Sequence, residues 1–374
     1  MHPSSILAYY PKYSLLDEVI ARNQYHKLVI YIDLKNCLKG IYLKDMVVNI
    51  LESSNNTKFI DTSIFSSLIS FIAYHKMYAH KRGVSFDFII FFEMGSSSYH
   101  QNIDKNYKRS RQLDDFFGLE REKRERFAEI LQANFQLIEQ ACNRMPHIKV
   151  VRIPRLEADF IPYYLITRNY TNSNDEKIAH IIYSSDHDMW QGISNHCYVY
   201  FRSSKSKTII KRNDVMTKYL KTEVSYPDEY LPLAMSIIGD TGDDVYGIPG
   251  IGPKGFIKVI DEFIKIFGNM KNIYDKVEKG EELFKGIETE NKILTTIIEA
   301  EMKNKTLSNN LKLVSFELLS RALDSPNSTE MIEKKKHIEN IMKPSNIAKR
   351  ESMVSALERN GVFLEGNNID FIYI

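Results

Sequence analysis

The sequence predicts an α/β fold: a mostly parallel twisted sheet flanked by helices, followed by a helical domain. Three observations predict it. Apolar runs of strand length recur through the first half, and they are continuously hydrophobic, the pattern of central strands covered on both faces. Helix-length segments separate them, as parallel strands require. From about Pro227 the strand runs fade and the remaining segments read as helices.

Taken in order, residues 1–26 form an N-terminal extension to which the sequence assigns no role. KLVIYID (27–33) is the first strand, and a helix follows over about 61–82. FDFIIFFE (86–93) is the second strand, and a serine-, lysine- and arginine-rich stretch leads into a helix within 112–145. IKVVRIP (148–154), a helix over 157–170, IAHIIYSSD (178–186) and CYVYF (197–201) complete an α/β domain spanning 27–225. PDEYLPLAMSIIGD, PKGFIKVIDEFIKIFG and NKILTTIIEAEMKN then give a helical domain over 226–325. LDSPNSTEMIEKKKH (323–337) reads as a charged linker into a C-terminal helical segment, 326–374.

Composition narrows the class. The chain has 374 residues, 43% hydrophobic and 26% charged, ordinary for a globular protein with more than one domain. No apolar run approaches the roughly 18–20 residues that cross a bilayer. The start, MHPSSILAYYPKY, lacks the charged and apolar regions of a signal peptide, so an intracellular, cytoplasmic protein is expected. Cys37, Cys142 and Cys197 are isolated, which speaks against a disulfide framework or a zinc knuckle. Net charge is only +2, yet Lys105 to Arg126 holds eight basic residues against five acidic ones.

The acids fall at consistent places. Asp33 ends the first strand, Glu93 the second, and Asp186 with Asp188 the fourth; Glu157 and Asp159 follow the third. Carboxyl ends of parallel strands converge on one edge, where ligands bind. A lone Asp after a strand usually caps a helix, so the argument rests on repetition at four strand ends. Six carboxylates on one edge require cations, and hard oxygen donors without a Cys or His cluster suit Mg²⁺, with Mn²⁺ able to substitute. Asp240 and Asp243, three apart on an expected helix end, join the same cluster. Eight carboxylates suit a two-ion site that activates water and steadies a leaving oxygen.

Directly after those two acids comes GIPGIGPKG (247–255). Gly250 and Gly252 permit a tight turn and close backbone approach, Pro253 begins a helix, and Lys254 adds a charge, so the turn suits a backbone phosphate. Gly247 opens the motif. Upstream, Lys108 and Arg111 are expected to share a helical face above the acids, with Tyr107 beside them. They would draw a phosphate onto the cations and offset charge in the transition state, while Tyr107 would stack on a base. His100 reads as a surface residue.

An Asp-ending strand, an acid-ending strand, YKRSR, EAD, SSDHD and GDTGDDVYGIPGIGPKG occur here in that order. In this the chain resembles the 5′-nuclease superfamily of flap endonucleases and 5′-3′ exonucleases, phage and bacterial type, from about Lys27 to Phe267. The resemblance implies a PIN-like sheet followed by a helix–three-turn–helix domain. It implies Asp33, Glu93, Glu157 and Asp159 as ligands of a first metal, and Asp186, Asp188, Asp240 and Asp243 of a second. It also implies a basic helical arch over about 95–130 with Lys108 and Arg111 as its phosphate-steering pair, and a hairpin over 247–255 that grips duplex DNA and holds K⁺ in relatives. Glu93 stands where the family usually has Asp, Phe160 where many members have a second Asp, and Asp244 where Asn is frequent.

The expected function is a monomeric, divalent-metal-dependent, structure-specific 5′ nuclease. It would hydrolyse phosphodiesters of DNA bearing a 5′ flap or end, and of RNA–DNA hybrids, in replication or repair. The alternatives are a catalytically silent DNA-binding scaffold of the same fold and a PIN-like RNA nuclease.

Overall fold

The computed structural model describes residues 16–20, 25–34, 51–52, 62–109, 120–202, 207–343 and 350–359. Six strands build one sheet: β1 (Lys27–Asp33), β2 (Ser85–Phe91), β3 (Ile148–Val151), β4 (Ile178–Tyr183), β5 (Cys197–Arg202) and β6 (Lys207–Ile210), in the order β3-β2-β1-β4-β5-β6. The first five run parallel and β6 is antiparallel to β5. KTII is too short and too flanked by lysines to announce β6 as a strand, and the sequence reading missed it. The expected strands otherwise stand, but β2, β3 and β4 stop two or three residues sooner than expected. Glu93 and Asp186 therefore lie in loops just past the ladder.

Strand β1 shows why the sheet is covered on both faces. Its alternate side chains point opposite ways, and all but Lys27 are buried. Leu28, Ile30 and Ile32 join a core with Phe65, Leu68 and Ile72 of α1 (Thr62–Arg82) and Ile130 and Ile138 of α3 (Arg121–Cys142). Val29 and Tyr31 join the opposite core. That second core runs without a break through α4 (Phe160–Thr167), α6 (Leu231–Ile238), α11 (Thr306–Val314) and α12 (Phe316–Asp324). The helical region after residue 226 thus packs directly on the sheet's second face.

Short helices fill the intervals: α2 (Ser98–Ile103) after β2, α5 (Val215–Leu220) after β6, and α7 (Pro253–Ile257), α8 (Ile260–Phe267), α9 (Met270–Lys279) and α10 (Lys292–Asn304) beyond α6. The stretch expected as a linker instead contains α13 (Thr329–Met342), whose first turn is capped by Ser328 Oγ accepting from Met331 N. Its Lys334 is buried and donates to Ser98 Oγ at 2.6 Å and Arg155 O at 2.9 Å, so the charged sequence hides a docked helix. A final helix, α14 (Arg350–Glu358), packs on α3.

The segment from Gly239 to Gly247 folds as a closed hairpin. After Gly239 ends α6 at φ +90°, β7 (Gly239–Asp240) pairs antiparallel with β8 (Val245–Tyr246) around a 3₁₀ turn, Thr241–Asp243. Asp240 and Asp243 therefore sit on a strand and a turn, where a helix end was expected. A Cβ on Gly247 would stand 2.2 Å from Ile238 O, and one on Gly239 would stand 2.4 Å from Gly247 N. Only two glycines let the chain cross itself this closely, and Ile248 N donates to Ile237 O at 2.8 Å to lock the crossing.

Candidate metal centre and nucleic-acid interface

The sheet order reverses between β1 and β4, and the crevice at the carboxyl ends of these strands is where an open α/β sheet binds ligands. Asp33 closes β1 there. Its Oδ2 accepts from Ser184 Oγ at 3.2 Å, and the same hydroxyl oxygen accepts from Asp186 N at 3.1 Å. Asp186 Oδ1 in turn accepts from Asp188 N at 3.1 Å. One serine thus ties the end of β1 to the loop after β4. Ser184 begins the SSDHD motif, a signal present in the sequence to which no role was assigned.

Asp159 occupies the N-cap position of α4 but makes no side-chain capping bond, so its carboxylate is available to the crevice. Asp188, Asp240 and Asp243 each offer an oxygen within 4.8 Å of the others. Glu157 is buried, 4% exposed, and Lys108 Nζ bridges it to the hairpin, at 2.5 Å from Glu157 Oε2 and 3.3 Å from Asp243 Oδ2. The structure brings all eight carboxylates into one electrostatic neighbourhood, since Glu157 feels Glu93 and Asp243, Asp159 feels Asp186 and Asp33, and Asp188 feels Asp186, Asp243 and Asp240.

The electrostatics of that neighbourhood suit a bound cation. Burial first, and the neighbouring carboxylates second, hold Asp159 and Asp188 well above the usual carboxylate range. Glu157 is also raised, because burial together with Glu93 and Asp243 outweighs Lys108. Asp188 Oδ1 is buried with no hydrogen-bond donor. Burial pulls the Lys108 ammonium down, but Tyr107, Glu157 and Asp243 outweigh it, and its pKa lies well above the lysine value. Among the described residues, the Lys108 ammonium bridges two of these carboxylates, Glu157 and Asp243. Divalent ions suit hard oxygen donors gathered in this way.

The basic segment differs from expectation in three ways. Lys108 lies in a turn with φ +56°, not on a helix, and its own N–H donates to Asp243 O at 3.1 Å. Arg111 falls outside the described residues. Tyr107 is 8% exposed, stacked on His100 at 4.6 Å between ring centroids, with its hydroxyl donating to Asp243 Oδ2 at 3.1 Å. Buried in this way, its ring has no free face for a base, and it props the hairpin. His100, expected at the surface, is buried beneath it and hydrogen-bonds Ser97 Oγ at 2.7 Å. Its pKa is lowered to about 3, chiefly by burial and then by Lys108. Sequence reasoning missed this role because nothing local marks a histidine as a stacking partner seven residues from a tyrosine.

The glycine motif divides in two. Gly247 is consumed by the hairpin crossing. Gly250 (φ +81°), Gly252 and Lys254 are exposed, and no atom lies within 4 Å of a Cβ built on either glycine, so the backbone there is open to a ligand. A cleft of about 860 Å³ lined by Trp190, Arg212 and Arg321 holds none of the eight carboxylates. Arg321 there is already paired with Asp275, Glu278 and Glu317.

Comparison with known proteins adds a family and a fold likeness. Residues 46–220 match the family described as 5′-3′ exonuclease, N-terminal resolvase-like domain. The 5′-3′ exonuclease of Buchnera aphidicola subsp. Acyrthosiphon pisum is 26% identical over 193 residues, 51% of this chain and 57% of its own length. Flap endonuclease Xni of Shewanella halifaxensis is 41% identical over 64 residues, 17% of this chain and 22% of its own length. The chain therefore spans only about half, or less, of the curated relatives it matches. The bacteriophage T5 flap endonuclease, solved as a pseudo-enzyme-product complex with DNA and metal ions, superposes with a TM-score of 0.54 at 19% identity, covering 85% of this chain and 100% of the other. That likeness establishes the predicted fold: a mostly parallel sheet flanked by helices with a helical region after it.

Proposed function

We propose that this chain, residues 46–220 of which match the family described as 5′-3′ exonuclease, N-terminal resolvase-like domain, is a divalent-metal-dependent, structure-specific 5′ nuclease, a 5′-3′ exonuclease or flap endonuclease. The observation that carries the proposal is the convergence of eight carboxylates on one crevice beside a buried lysine and an open glycine turn. Asp33, Glu93, Glu157 and Asp159 would hold one Mg²⁺, and Asp186, Asp188, Asp240 and Asp243 another, with Mn²⁺ able to replace them. Such ions supply an activated water and stabilise the oxygens of phosphodiester hydrolysis.

The chain's own groups do the rest. Gly250, Gly252 and Lys254 contact phosphates of the duplex through backbone and charge, without reading bases. Lys108 holds a positive charge beside the crevice, where it would neutralise a non-bridging oxygen of the scissile phosphate, and Arg111 would assist it. Tyr107 and His100 hold Lys108's turn in place. On this reading residues 27–225 cut and 226–325 grip, the substrate is DNA with a 5′ flap or end, and RNA–DNA hybrids are accepted because the contacts go to backbone. K⁺ at the turn, action as a monomer in the cytoplasm, and a role in replication or repair complete the proposal.

The test is cleavage of a labelled 5′-flap duplex by the full chain, with Mg²⁺ and with EDTA, on free and blocked 5′ ends. Incision near the junction that requires the metal supports the proposal. Tight binding without cleavage in Mg²⁺ or Mn²⁺ would make the protein a scaffold.

A further inference from the structure

One exposed side chain on the hairpin has no part in the site as described. Tyr246 is 72% exposed, and it is the one aromatic among the large hydrophobic residues that the described residues expose. A single exposed apolar residue is ordinary in itself, so its surroundings decide. Asp240 pairs with Val245 and Gly239 with Tyr246, and directly opposed residues of a ladder share a face. The Asp240–Val245 face turns inward, Val245 being buried, and the Gly239–Tyr246 face turns outward. Glycine opposite leaves the ring uncovered.

The backbone beneath the ring is fixed. Asn310 of α11, itself buried, donates from Nδ2 to Tyr246 O at 2.8 Å and to Ser236 O at 2.9 Å, and the glycine crossing follows immediately. The ring is therefore presented on a rigid platform, with Asp243 three residues before it and the exposed Gly250, Gly252 and Lys254 shortly after. An aromatic face held between a metal-binding cluster and a phosphate-binding turn meets whatever apolar surface a strand shows between its phosphates. In a duplex the base faces are stacked away, and that surface is the sugar.

We propose that Tyr246 packs its ring on a deoxyribose of the strand whose phosphates the glycine turn holds, making it a substrate-positioning and sugar-discriminating residue. The inference rests on the nuclease reading of the same site. A 2′-hydroxyl would place a polar group against the ring, so ribose in that strand is disfavoured at this contact, while RNA in the opposite strand is tolerated.

The experiment measures binding of a 5′-flap duplex to the full chain by fluorescence anisotropy, with Ca²⁺ in place of Mg²⁺, for wild type, Tyr246→Phe and Tyr246→Ala. Both variants are expected to unfold at the wild-type temperature, because the side chain packs on little. Tyr246→Phe should bind within about two-fold of wild type and Tyr246→Ala about five- to ten-fold more weakly, a modest share of the energy of an aromatic contact with nucleic acid. Ribonucleotides in the gripped strand should weaken wild type several-fold and leave Tyr246→Ala unchanged. Equal affinity of Tyr246→Ala and wild type would overturn the proposal, as would an equal ribose penalty in both. An alanine deficit that disappears on a duplex with an abasic site would also overturn it, by assigning the ring to a base. Wild type that binds the flap but never cuts it with Mg²⁺ would sink the nuclease reading and leave this contact standing.

Discussion

Lys108 is held in place by opposing forces of a kind that local sequence does not show. Its left-handed backbone costs about 1 kcal/mol for a residue with a Cβ, and its ammonium is drawn into a mostly buried setting. Both are offset by the N–H bond to Asp243 O and by the two carboxylates that the side chain bridges. The YKRSR motif could be recognised in the sequence, and its lysine is the one that bridges Glu157 and Asp243. The expected helix was wrong because the turn's geometry is set from outside, by the hairpin across the crevice. Lys108→Ala is therefore expected to lower single-turnover cleavage by roughly 100-fold or more, the scale of losing one preorganised charge at a transition state, while duplex affinity changes less than about three-fold. Anisotropy beside rapid-quench kinetics checks this, and an equal loss in both would reduce Lys108 to a binding contact.

Among the elements, the hairpin from Gly239 to Gly247 links the two halves of the site. It carries Asp240 and Asp243 on one side and Tyr246 on the other, and it meets Lys108 and Tyr107 by direct hydrogen bonds. The sequence shows Gly247, Gly250 and Gly252 as one motif, and nothing local separates a packing glycine from a ligand-facing one. Distance across the fold separates them. Gly247→Ala forces a Cβ into Ile238 O and should cost more than about 2 kcal/mol of stability, the scale of overpacking in a closed site. Gly250→Ala meets open space and should cost only about 1 kcal/mol for its positive φ, with its main effect on duplex affinity. Urea denaturation of the two variants distinguishes them, and equal destabilisation would contradict the division. Strands β1 to β5 were legible because each is a continuous apolar run. Strand β6 and helix α13 were not, because each owes its structure to a partner elsewhere: β5 for the one, and β3 with Ser98 for the other.

For the whole molecule, the acidic crevice is a source of instability that bound cations would relieve. Asp159 and Asp188 have raised pKa values, caused first by burial and then by their neighbours. Groups of that kind favour the folded state while protonated and oppose it once ionised, so metal-free stability should fall as pH rises through their elevated range. Divalent ions would bind the ionised form, and on the proposed function the gap in unfolding temperature between Mg²⁺ and EDTA should widen with pH. A gap that stays constant with pH would mean that the ions act elsewhere. Six of the eight acids could be placed together from the sequence because they recur at strand ends, which a parallel sheet gathers on one edge, while Asp240 and Asp243 reach it from the hairpin. Their supporting groups, Ser184, His100 and Asn310, were not, since each acts through a contact made only by the folded chain. The most direct test of the account is single-turnover cleavage of a 5′-flap duplex by wild type and Asp186→Ala in Mg²⁺, with duplex binding measured in Ca²⁺. The account predicts a fall of at least about 100-fold in cleavage with binding retained, whereas cleavage near the wild-type rate would contradict it.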